Sequence, residues 1–96
     1  MSLEQITESF LSEAAELVDE LEAELLILED DPAPRRIDSV FRALHTLKGS
    51  GSMFGFVELS GFVHHFETAF EELRAGRRSV DPDLVGAALA ACDIVR

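Results

Sequence analysis

From Leu3 to Leu28, apolar residues return every three or four positions: Leu3, Ile6, Phe10, Ala14, Leu17, Leu21, Leu25 and Leu28, with Glu and Asp filling most places between. That period predicts a long amphipathic helix with one apolar stripe, and such a stripe has to be buried against other elements. The helix is expected to stop at Asp30-Asp31-Pro32-Ala33-Pro34, where two prolines cannot continue it.

The same period returns three times. A second stretch runs from about Arg36 to Phe54, with Ile37, Val40, Phe41, Leu44, Leu47 and Phe54 on its apolar side and Gly55 as its stop. A third spans about Val57 to Ala75, with Leu59, Phe62, Val63, Phe66, Phe70 and Leu73 inward and Gly76 after it. The fourth opens on Asp81-Pro82, an N-cap followed by the favoured first-turn proline, and offers Leu84, Ala87, Ala88, Ala91, Ile94 and Val95. No period-two alternation survives, so strands are not expected. Four helices with short connections predict an all-α, antiparallel, up-down-up-down four-helix bundle. The last helix runs into Arg96 without a cap, so residues 1–96 are expected to form one domain at the N-terminus of a longer protein.

The 96 residues fit a single compact domain, and its apolar content of 47% has to be well organised to stabilise so small a core. Net charge is −11, from 19 acidic and 8 basic residues, which argues against nucleic acid and against an anionic membrane surface. A protein partner with a basic rim fits that balance, although acidity also simply favours solubility. The one cysteine, Cys92, excludes an internal disulfide and is expected as a small core residue. No segment approaches the roughly 20 apolar residues of a membrane span, and the start is not a signal peptide, so a cytoplasmic location is the expectation.

Three histidines could carry chemistry: His45, His64 and His65. A wheel at about 100° per residue places His45 about 110° from the core direction of the second helix, on the solvent flank. Lys48 lies one turn on, and Gly49 and Ser52 continue that flank with small side chains. Glycine inside a helix costs about 1 kcal/mol relative to Ala, so Gly49 suggests a partner that must approach closely, or else a neighbouring helix packed against it. Gly51 falls on the core side. On the third helix, His64 and Glu67 share a side while His65 does not, and Glu67 sits nearer the core boundary. If the third helix lies beside the second, Glu67 can meet His45 and fix its tautomer, leaving the other ring nitrogen as a nucleophile.

The run Phe41-Arg42-Ala43-Leu44-His45-Thr46-Leu47-Lys48-Gly49-Ser50 resembles the signature of histidine-containing phosphotransfer (HPt) domains. With Gly51-Ser52-Met53-Phe54-Gly55-Phe56, then His64 and Glu67, it is similar to the N-terminal domain of the CheA family of chemotaxis histidine kinases. The resemblance covers nearly the whole chain. It implies that His45 is phosphorylated, with Lys48 beside the phosphoryl group. It also implies that Glu67 hydrogen-bonds the imidazole and that His64 belongs to the same polar cluster. Gly49 and Ser52 would line the docking surface. The implied partners are an ATP-dependent kinase domain, in cis or in trans, and a CheY-like response regulator. ATP and Mg²⁺ would come from those proteins, with no cofactor or metal in this domain. The isolated domain is expected to be monomeric, and to act as a relay rather than a self-sufficient catalyst. A fifth helix, common in the family, does not appear within the 96 residues.

Two rival readings stand beside this one. A di-iron bundle needs inward carboxylates and paired Glu-x-x-His motifs, whereas His64-x-x-Glu67 is reversed, single and outward. A zinc site from His45, His64 and Glu67 is geometrically conceivable. An interaction module without transfer activity would look much the same, and the intact set His45, Lys48, Gly49 and Glu67 argues against it.

Overall fold

The computed structural model describes the backbone over residues 2–53 and 57–95, and the side chains over residues 2–51 and 60–94. Among these residues there are four α-helices and no strand: α1 Leu3–Leu28, α2 Pro34–Met53, α3 Val57–Arg74 and α4 Pro82–Val95. Local chemistry explains the ends. The Ser2 hydroxyl accepts from the Gln5 N–H at 3.2 Å while the Gln5 side chain accepts from the Ser2 N–H at 2.9 Å, a capping box that satisfies two exposed donors. Only Pro32 acts as a breaker. Pro34 is the first residue of α2, which therefore starts earlier than Arg36, because a proline at that position gives up an N–H that had no partner anyway. At the end of α3, Gly76 turns back at φ +78, the Arg77 N–H donates to the Glu72 carbonyl at 2.9 Å, and the Gly76 N–H donates to Leu73 at 3.1 Å. This left-handed closure is strained for a residue with a Cβ. Asp81 caps α4, its carboxylate accepting from the Leu84 N–H at 2.8 Å.

The bundle is built from α2 packed most extensively on α3, and α1 packed on both α2 and α4. Asp38 meets Arg74, His45 meets Glu67, and the Lys48 carbonyl meets Ser60. Numbers fall along α3 as they rise along α2, so the two helices are antiparallel. At the α1–α2 corner, Arg36 donates to Glu24 at 2.6 Å and to Asp31 at 3.2 Å.

One core runs down the middle. Its largest sealed side chains are Phe70, Leu25, Leu28, Leu47, Val40 and Val85. The expected stripes are mostly right, with several corrections. Leu3 and Ile94 are exposed, as are Phe62 and Ala87, and Ile6, Leu17, Phe41 and Phe66 are only partly covered. Val18 and Val85, outside the stripes, are buried. A stripe has one direction, but α1 faces two neighbours, which widens its covered arc to Val18. Cys92 is buried as expected. Phe54 and Gly55 lie outside the described residues, and the side chains of Leu59 and Val95 lie outside the described side chains.

Candidate functional site

His45 projects from α2 between two buried neighbours, Leu44 and Leu47, and its own side chain is 64% exposed. The bundle's core thus holds the backbone under the ring while leaving the ring in solvent. From α3, Glu67 comes up beside it with its Oε1 3.3 Å from His45 Nδ1. Glu67 is the one buried charged residue among the described side chains, 7% exposed. A buried carboxylate needs compensation. Lys48 supplies it: the Nζ lies 3.0 Å from both carboxylate oxygens, donating a hydrogen bond to Oε1. Buried Oε2 takes the ammonium's charge but no hydrogen bond.

Burial alone would push the Glu67 carboxyl up, but the hydrogen bonds from Lys48 and His45, and the charge of both, outweigh it and hold the group below its ordinary value. Glu67 is therefore ionised at neutral pH and can only accept. The proton of neutral His45 is assigned to Nδ1 by that partner, which leaves the lone pair on Nε2. Among the described residues nothing bonds Nε2. The arrangement is an outward nucleophile on a rigid helix, steered from behind by an ionised carboxylate.

The expected residues do not all converge. His45, Lys48 and Glu67 form one hydrogen-bonded set. Lys48 turns its ammonium to Glu67 and so acts on the ring through the carboxylate. His64 and His65 are exposed on α3, and among the described residues the His64 imidazole joins no hydrogen bond or ion pair; its carbonyl accepts from Thr68 at 3.1 Å. A Cβ built on Gly49 would meet nothing within 4 Å, so close helix packing does not account for that glycine. Gly51 is buried, as its side of the wheel predicts. The Ser52 side chain lies outside those described.

Three neighbours were not foreseen. Phe41, read as a core residue, is half-buried, and its ring stacks on the imidazole of His45. Its position four before His45 was a visible signal. The Arg74 guanidinium lies over the Phe41 ring, and Ser60 donates to the Lys48 carbonyl at 3.0 Å. Both come from α3, and no signal in the sequence gives their register. Among the described residues no group of three or more His, Cys, Asp or Glu could hold a metal ion, and no helix is long and apolar enough to cross a membrane.

The family model described as Hpt domain matches residues 5–96. The chain belongs to the Hpt domain family. This Hpt domain is 42% identical to the chemotaxis protein CheA of Borreliella burgdorferi over 94 residues, covering 97% of this chain and 11% of that protein. It is 30% identical to the chemotaxis protein CheA of Salmonella typhimurium over 97 residues, covering 100% of this chain and 14% of that one. The solved CheA phosphotransferase domain from Thermotoga maritima superposes with a TM-score of 0.90 at 30% identity, covering 99% of this chain and 90% of that one. The fold is thus the all-α bundle of that domain, and the chain spans 11% to 14% of the length of these two curated relatives.

Proposed function

We infer that this Hpt domain is a phosphohistidine relay in chemotaxis two-component signalling, and that His45 carries the phosphoryl group. The observation that carries the reading is the exposed imidazole of His45 with Nδ1 on buried, ionised Glu67 and Nε2 open to solvent. Nε2 attacks the γ-phosphorus of ATP held by a kinase domain, in cis or in trans. The N–P bond forms as the bond to the β-phosphate oxygen breaks and ADP leaves. Phosphoryl transfer passes through a loose transition state, so orientation and charge placement supply most of the acceleration. As the ring gives up its lone pair it gains positive charge, and Glu67 stabilises that charge through the Nδ1–H. In the second half, a carboxylate oxygen of a CheY-like response regulator attacks phosphorus, the N–P bond breaks, and neutral imidazole is restored. Mg²⁺ belongs to those partners. Such a relay works in the cytoplasm and needs no oligomer.

The test is incubation with ATP, Mg²⁺ and a CheA-type kinase domain. The label should be acid-labile and alkali-stable, as phosphohistidine is, and His45→Gln should abolish it with the helical circular dichroism unchanged, because the side chain is exposed. Undiminished labelling of His45→Gln would remove His45 from the reading.

A further inference from the structure

The contact between Nδ1 and Glu67 is 3.3 Å, at the long end of a hydrogen bond, and it holds the imidazole at one edge only. A ring tethered at one nitrogen can still swing, and swinging moves Nε2. The ring has a second restraint. Phe41 lies one turn earlier on α2, its centroid 6.1 Å from that of His45 and its plane only 15° away, an offset-stacked pair. Phe41 is itself pinned. The Arg74 guanidinium sits 4.3 Å from its ring centroid, and Arg74 Nη1 is held by Asp38 Oδ1 at 3.3 Å. The other oxygen of Asp38 binds Arg42 Nε at 2.9 Å. A chain of contacts from α3 thus ends on a ring stacked with the imidazole, a restraint separate from the one Glu67 applies at Nδ1.

We propose that Phe41, clamped by Arg74, is a positioning residue of the relay: it fixes the plane of the His45 ring so that Nε2 faces the incoming phosphorus. This rests on the relay reading of His45. Orientation of the nucleophile is the main thing the domain contributes to a loose transition state, so its loss appears in turnover rather than in partner affinity. A bland apolar role predicts otherwise, since leucine fills the same half-buried place.

Phe41→Leu and Phe41→Tyr are compared with the wild type as substrates of a CheA-type kinase domain, with the His45 ring protons followed by NMR. Phe41→Leu should lower kcat by about 3–10-fold with an unchanged KM for the domain, and Phe41→Tyr, which keeps the flat face, should stay near the wild type. The ring-current shift of the His45 protons should vanish in Phe41→Leu and persist in Phe41→Tyr. Helical circular dichroism checks folding, and Phe41→Met replaces the leucine variant if that one unfolds. Wild-type kcat in the leucine variant, equal slowing in both variants, or a change in KM alone would overturn the proposal. Failure of the wild type itself to be labelled would instead sink the relay reading.

Discussion

Glu67 concentrates the site's chemistry in one side chain. It is buried, ionised, and shared by His45 and Lys48 through a single oxygen. Glu67→Gln keeps the shape but removes the charge that steadies the Nδ1–H, so phosphorylation should slow roughly tenfold while a response regulator still binds. Phosphorylation time courses and a binding isotherm separate the two. The same group sets a pH response. Its folded value lies below the ordinary 4.5, so the unfolded chain binds the proton more readily. The stabilisation is complete above about pH 4.5 and is lost as pH falls through the lower folded value. Urea unfolding between pH 3 and 6 should show this loss in the wild type and a flatter profile in Glu67→Gln. An equal acid response in both would show that the carboxylate is not what the fold protects.

At the scale of the helix, α2 is a compromise between stability and access. Gly49 stands one turn after His45 in open space, where a Cβ would touch nothing within 4 Å. Its cost to the helix is therefore uncompensated within the domain. Gly49→Ala should raise stability by about 0.5–1 kcal/mol, read from the urea midpoint, because the unfolded chain loses freedom and the helix gains a better former. Transfer to or from a partner should weaken, since the added methyl meets whatever approaches above the imidazole. A stabilised variant with wild-type transfer would leave the glycine without a functional reason. Gly76 is the contrasting case. It ends α3 at positive φ, and its requirement is met inside the fold by the closing hydrogen bonds.

Across the whole molecule, charge and core are arranged on opposite principles. Eleven of the 19 acidic residues precede Arg35, the first basic residue, so the eight acids that follow are balanced by the eight Lys and Arg. The net charge of −11 therefore belongs to α1 and its loop. The α2–α3 face, which carries Lys48, Arg42 and Arg74 as well as His45, is left the natural approach for anionic groups. Beneath that face, all four helices contribute to one core centred on fully buried Phe70. Phe70→Ala should cost about 3–5 kcal/mol, a large share of the 5–15 kcal/mol available to a domain of this size. Thermal circular dichroism would show a single, much earlier transition; a small shift would mean that the core closes over the gap.

What a chain can announce by itself is whatever repeats or punctuates along its own length. The four helical periods, the cap at Asp81, the stop at Gly76 and the outward turn of His45 are all properties of short windows, and they are legible there. Contact across helices is not local. That Glu67 would reach His45 could be anticipated only once α3 was placed beside α2, and the shared oxygen with Lys48 depends on the axial register of two helices. Arg74 over Phe41 depends on the same register, 33 residues away in sequence and one side chain away in space. The burial of Val18 and Val85 likewise follows from which faces meet. Periodicity decided that these segments would be helices with something to bury, and packing decided which partner each face found.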